Sequence, residues 1–112
     1  MESSDAILGN LVQELKRGTL VLSVLLSTET PVYGYTLVRS LQERGVEVEQ
    51  NTLYPLLRRL EKQGLLNSSW ETGEARPRRY YVISSKGKAI RRELFGEWKF
   101  MNEAIHSMEE NL

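Results

Sequence analysis

The 112-residue chain contains no cysteine and a single histidine, His106. The first absence removes disulfides, thiolate metal ligands, iron–sulfur clusters and thiol redox sensing together. The second leaves carboxylates as almost the only metal donors, so no metal site is expected. It also removes the usual general base. His106 sits in the C-terminal tail with no patterned nucleophile or acid around it, and no phosphate-binding glycine motif occurs, which argues against an enzyme. Long apolar runs are missing too. The densest, Leu20–Leu26, has 7 residues and includes Ser23, against the roughly 20 needed to span a bilayer. No cationic start with an apolar stretch and a small-residue cleavage site is present, so a cytoplasmic protein without cofactors is expected. Neither sign of charge is in excess, because 15 basic and 15 acidic side chains cancel. Taken alone, that balance speaks against a polyanionic partner.

What is present is ordinary globular composition, 40% hydrophobic and 27% charged, at a length that suits one domain. So short a chain buries only about two-thirds of its unfolded surface, and burial between subunits would help it. Ser3 or Ser4 can cap a first helix, whose apolar stripe is Ile7, Leu8, Leu11 and Leu15. Thr19–Ser27 is apolar almost all round and reads as a buried helix, with a buried strand as the alternative. Thr30-Pro31 looks like the start of the next helix, carrying Gly34, Leu37, Val38 and Leu41 and ending at Gly45. Asn51 is a suitable cap for a further helix with Leu53, Leu56, Leu57 and Leu60 on one face, ending at Gly64. Pro55 restricts where that helix can begin. Leu66–Thr72 and Arg79–Ser84 flank a Gly- and Pro-containing loop and predict a β-hairpin. Ser84 or Ser85 then caps a long last helix in which Gly87 is an unhelpful residue. The expected fold is mainly α with a small β-hairpin (α+β).

A helix pair followed at once by a hairpin is the plan of a winged helix-turn-helix, in which the second helix of the pair enters the DNA major groove. Charge placement supports it. Residues 1–50 hold 4 basic and 7 acidic side chains, whereas residues 51–81 hold 6 basic and 3 acidic. Between Arg76 and Arg92 lie 7 basic residues (Arg76, Arg78, Arg79, Lys86, Lys88, Arg91, Arg92) and no acidic one, a footprint for phosphate. On the helix after Asn51, the face opposite the leucines bears Asn51, Pro55, Arg58 and Lys62, with Tyr54 and Arg59 on its flanks. The N-terminal half of a recognition helix meets base edges, so Asn51, Thr52, Tyr54 and Arg58 are the expected base readers. Asn pairs bidentately with adenine and Arg with guanine. Arg59 and the hairpin guanidiniums Arg76, Arg78 and Arg79 suit phosphate, since a hairpin tip has no evident structural need of three guanidiniums. The rival reading is a winged helix that serves only as a protein-interaction or dimerisation module.

These residues also carry a resemblance. Arg17-Gly18-Thr19-Leu20, Tyr33-Gly34-Tyr35, Asn51-Thr52-Leu53-Tyr54-Pro55, Leu60-Glu61-Lys62-Gln63-Gly64-Leu65 and Arg76-Pro77-Arg78-Arg79-Tyr80-Tyr81 resemble the signature blocks of PadR-type transcriptional regulators. The likeness runs from about Glu14 to the C-terminus. It implies a bacterial, homodimeric repressor that leaves its DNA on binding an aromatic or cationic small molecule, and Tyr35 joins the set of DNA contacts. Two positions depart from the family pattern: Asn51 stands where Gly is common, and Tyr33 where His is frequent.

The last helix argues for a dimer independently of that resemblance. Leu94, Trp98, Met101, Ile105, Met108 and Leu112 form a heptad seam, on a helix of about 37 Å if it runs from Lys86 to Glu110. The stripe Ile7, Leu8, Leu11 and Leu15 is the candidate partner surface, in the same subunit or the other. Residues 1–85 would thus form the DNA-binding unit and 86–112 a dimerisation helix. In short-tailed members of the family an aromatic at the dimer centre stacks on flat ligands. The resemblance makes Trp98, with Phe95 and Met101 nearby, the candidate effector site.

Overall fold

The structure, a computed structural model, describes residues 2–73 and 77–112. Its helices are α1 (Ser4–Arg17), α2 (Leu20–Leu26), α3 (Gly34–Glu43), α4 (Gln50–Lys62) and α5 (Ser85–Glu109), and its strands β1 (Val32–Tyr33), β2 (Leu66–Glu71) and β3 (Arg78–Ile83). Ser3 caps α1, its hydroxyl accepting from the Ala6 amide at 3.1 Å. The apolar run at Leu20–Leu26 is helical, and it buries Leu22, Val24 and Leu25. Val24 and Leu25 join the leucines of α3 and α4 (Leu37, Leu41, Leu53, Leu57, Leu60) in one core, closed on the sheet side by Leu66, Tyr81 and Ile83. No helix among the described residues is long and apolar enough to cross a membrane.

Helices α3 and α4 end alike. Gly45 and Gly64 have φ of +90° and +79°, and the amides beyond them reach back, Val46 to the Leu41 carbonyl and Leu65 to the Leu60 carbonyl. That is a Schellman closure, which favours glycine because a side chain is strained at positive φ.

Two sequence expectations are corrected. Thr30-Pro31 does not open α3. The next two residues, Val32 and Tyr33, form a short strand that pairs antiparallel with Tyr81 and Tyr80. The sheet therefore has three strands in the order β1-β3-β2; β-branched and aromatic residues suit such a half-buried position. Asn51 does not cap α4 either. The cap is Glu49, whose carbonyl accepts from Thr52 and Leu53 at 3.0 and 2.9 Å. The helix thus starts upstream of Pro55, which lies inside it and leaves the Asn51 carbonyl without its usual amide donor. Packing of Leu53, Leu57 and Leu60 outweighs that local cost.

Gly87, a poor helix residue, has a packing reason for its place in the first turn of α5. A Cβ built there would lie 2.1 Å from the Leu65 carbonyl oxygen, so the first turn of α5 packs directly on backbone where β2 begins. Around that contact Ser84 caps α5 by accepting from Gly87 N at 2.9 Å, and it donates through Oγ to the Gly64 carbonyl at 2.6 Å. Glu29 then ties α5 to the segment after α2, with Arg91 at 2.6 Å and Lys88 at 3.7 Å. The Arg91 contact, ahead of Lys88, holds the Glu29 carboxyl below the usual range.

Beyond Gly87, α5 buries none of its residues, and α1 buries none at all. The apolar positions of both helices stand in solvent, Ile7, Leu8, Leu11 and Leu15 on one, Leu94 to Met108 on the other.

Candidate nucleic-acid interface

Helix α4 presents two unlike faces. Leu53, Leu57 and Leu60 are buried, while Asn51, Thr52, Arg58 and Arg59 are exposed. Neither arginine forms a salt bridge with a described residue. Tyr54 is half-buried because its ring lies over Gly34, where a Cβ would come 2.8 Å from the ring edge. Tyr35 is 56% exposed on the first turn of α3, with the Arg39 guanidinium 6.0 Å from its ring centre. Between α3, α4 and the hairpin runs an open cleft of about 690 Å³, walled by Tyr33, Tyr35, Tyr54, Arg58, Trp70 and Arg78 among others.

Strand alternation separates the hairpin arginines. Successive side chains of a strand point to opposite faces, and the register pairs Ser68 with Tyr81, Trp70 with Arg79 and Glu71 with Arg78. Arg79 therefore shares the helix-facing side with buried Tyr81 and Ile83. Arg78 belongs to the outer side, with Tyr80 and Glu71. Arg76 lies outside the described residues.

On the outer side, the Tyr33 and Tyr80 rings stack with centroids 4.1 Å apart. Both hydroxyls donate to Glu71, that of Tyr80 at 2.7 Å, and the Arg78 guanidinium lies 5.2 Å from the Tyr33 ring centre. Hydrogen bonds from Tyr33 and then Tyr80 hold the Glu71 carboxyl below its ordinary 4.5. A hydrogen bond between the Tyr33 and Tyr80 hydroxyls, and then the one from Tyr80 to Glu71, push the Tyr80 hydroxyl above the usual phenol range. A carboxyl whose pKa is lowered by folding adds stability that is complete above 4.5 and lost as pH falls through the lowered value. Glu71→Gln is accordingly expected to lose less stability than the parent between pH 4.5 and the acid transition, as urea midpoints measured across that range will show.

On the helix-facing side, Arg79 donates to Glu61 Oε1 at 2.7 Å and to Ser68 Oγ at 3.0 Å, and Ser68 in turn donates to the other oxygen of Glu61. The premise that the hairpin needs no guanidinium for its own fold therefore fails at Arg79. The basic segment thins further in space. Lys86 donates to the Gln63 carbonyl at 2.9 Å, while Lys88 and Arg91 are taken by Glu29. Glu61, Ser68, Glu71 and the stacked tyrosines were missed by reading along the chain. The alternation back from Ile83 was the available signal.

Three helices packed as a core, with α4 flanked by a β2–β3 hairpin, define a winged helix-turn-helix protein. A family model, that of the transcriptional regulator PadR-like family, matches residues 21–93. The chain is 44% identical to a PadR family transcriptional regulator from Eggerthella lenta DSM 2243, whose crystal structure superposes with a TM-score of 0.91 over 96% of each chain. It is also 35% identical over 79 residues to transcriptional regulator Rv3488 of Mycobacterium tuberculosis, spanning 70% of this chain and 74% of that one. A third relative, an uncharacterized protein of Lysinibacillus sphaericus, is 30% identical over 116 residues, covering 100% of this chain and 99% of its own. The chain belongs to the PadR-like family of transcriptional regulators, a family that implies regulation through DNA binding and not enzymatic work.

Proposed function

We propose that the protein is a homodimeric repressor that reads a pseudo-palindromic operator with α4 and grips its backbone with the wing. The observation that carries this reading is the exposed face of α4, where Asn51, Thr52, Arg58 and Arg59 project beside the cleft to the hairpin, neither arginine in a salt bridge with a described residue. Asn51 and Thr52 occupy the first turn, the part of a recognition helix that meets base edges. Arg58 reaches a guanine, while Arg59, Arg78, Tyr35 and Tyr54 hold phosphates. Residues 1–85 form the DNA-binding head and 86–112 the dimerisation helix.

Neutral total charge keeps non-specific binding weak compared with a strongly basic protein, so discrimination rests on two-fold contacts at a matched site. Arg58→Ala is expected to relax preference at one base pair of each half-site, with affinity for unrelated DNA little changed. Arg78→Ala is expected to weaken all duplexes alike, and to reduce the slope of log K against log salt by about 0.9. Fluorescence anisotropy over a salt series checks both. Parent-like binding by both variants would leave the protein-interaction reading standing instead.

Release by a small aromatic or cationic effector belongs to the same proposal. It draws support from Phe95 and Trp98, which stack with centroids 6.0 Å apart and are 39% and 38% exposed, beside Met101 on the seam. Trp98 emission is the direct readout of an effector there.

A further inference from the structure

We propose that Arg79 is a positioning residue. With Glu61 and Ser68 it sets the angle between recognition helix and wing, and so fixes the spacing at which base contacts and backbone contacts can be made together. This rests on the DNA-binding reading above, and it moves Arg79 out of the set of phosphate contacts.

The bracket joins three elements. Glu61 belongs to the last turn of α4, Ser68 to β2 and Arg79 to β3. Two guanidinium nitrogens are used, Nε on Ser68 at 3.0 Å and a terminal nitrogen on Glu61 at 2.7 Å. Ser68 closes the ring by donating to the second Glu61 oxygen. Only a planar fork can make both contacts in fixed directions; an ammonium is a point charge on a flexible stem. The guanidinium is also held between rings, 5.5 Å from the centre of Trp70, its cross-strand neighbour, and 5.6 Å from that of Tyr81. The side chains of Arg79 and Glu61 are 33% and 28% exposed.

Those facts set the electrostatic role. A guanidinium whose charge faces a carboxylate at 2.7 Å has little left with which to displace counterions from phosphate, so it adds nothing to the salt slope. Glu61 and Ser68 fix the direction of the guanidinium, so Arg79 is held by the fold before any DNA arrives. Arg78 lies on the opposite face of the same strand, exposed, with its guanidinium against the Tyr33 ring. The bracket thus couples the C-terminal turn of the helix that reads bases to the strand that carries Arg78.

The test compares Arg79→Lys, Arg79→Gln, Glu61→Gln and the double variant Glu61→Gln/Arg79→Gln with Arg78→Gln. Each is titrated against a duplex selected by the parent protein from a randomised pool, and against an unrelated duplex of equal length, across a salt series. For Arg79→Lys, Arg79→Gln and Glu61→Gln, affinity for the selected duplex should fall about tenfold, with unrelated DNA unchanged within twofold and the slope intact. The double variant should be no worse than either single one, as members of one network are not additive. Arg79→Lys keeps the charge and the fold, so a phosphate contact would leave it parent-like; that result overturns the proposal. So does a slope lowered by about one unit in Arg79→Gln, or tighter binding of both duplexes by Glu61→Gln, which would mean that a phosphate-seeking Arg79 had been released. A parent protein that binds neither duplex with salt dependence overturns the DNA reading and the positioning role together. Any of the preceding results overturns the positioning role alone.

Discussion

Gly87→Ala is expected to destabilise the protein by about 3 kcal/mol or more, the upper end of what overpacking costs. For a chain of this size that lowers Tm by roughly 10 °C or more. In an unencumbered helix the same change gains about 1 kcal/mol, because alanine loses less backbone freedom than glycine. Geometry reverses the sign here. The added Cβ would sit 2.1 Å from the Leu65 carbonyl oxygen and 2.7 Å from Ile83 Cγ1. Real Cβ atoms essentially never come so close to another heavy atom, and that oxygen is held in place, since it also accepts from Ser84 N at 3.0 Å. To make room, α5 must lift off the start of β2. That breaks the Ser84 contacts with Gly64 and Leu65 and loosens the Lys86 contact with Gln63. Gly96→Ala is the matched control. It lies on the same helix, where an added Cβ would meet nothing within 4 Å, and off the apolar seam, so it should be neutral or slightly stabilising. Urea midpoints of the two variants against the parent decide the matter, and equal midpoints for Gly87→Ala and the parent would mean the close approach is absent in solution.

Gly87 also shows where sequence runs out. Local propensity marks it as a poor helix residue, and so it is; the reason for it lies in the backbone of Leu65, which no pattern around position 87 reveals. The helices themselves were legible. The leucine spacing of α3 and α4 and the glycines at 45 and 64 report burial and positive φ, both local demands. Strand β1 was not, because two residues carry no period and their partners, Tyr80 and Tyr81, come far later in the chain. The same limit governs charge. A segment without acidic residues looks like a free basic patch until Glu61 and Glu29, which lie 18 and 62 residues before their partners, are brought against Arg79 and Arg91. Arg78 and Arg79 are different, since their separation to opposite faces follows from the two-residue period counted back from Ile83. That part of the candidate site was written in the sequence and obscured by counting charges in place of faces. The blocks that carry the family resemblance also meet in space, Tyr54 over Gly34, which gives a physical reason for their joint occurrence.

Placing two carboxylates in the heptad seam, as Met101→Glu with Ile105→Glu, is expected to give monomers and to lower affinity for a two-half-site operator by about 100-fold or more. Exposure along α5 motivates the choice: Leu94 is 36% exposed, Met101 54%, Ile105 61% and Met108 65%. The seam leaves the body of its own subunit and runs out into solvent, on a 25-residue helix of about 37 Å. A monomer seldom keeps so continuous an apolar stripe in water, and α1 adds a second one. In the proposed homodimer, pairing two copies would cover this stripe, and a two-fold axis would present two α4 helices about one DNA turn, roughly 34 Å, apart. Once one head is bound, the other meets its half-site at an effective concentration near the millimolar range; this linkage is what the glutamates remove. Across the two-fold axis they would bring four carboxylates together in an apolar seam, a desolvation cost that dissociation relieves. Neither residue touches the core of the DNA-binding head, so affinity for a single half-site should stay within about twofold of the parent. Sedimentation equilibrium gives the mass, and anisotropy on one-site and two-site duplexes gives the affinities. A variant that remains dimeric, or a monomer that holds the two-site duplex as tightly as the parent does, would show that α5 is not the joint through which the two heads act.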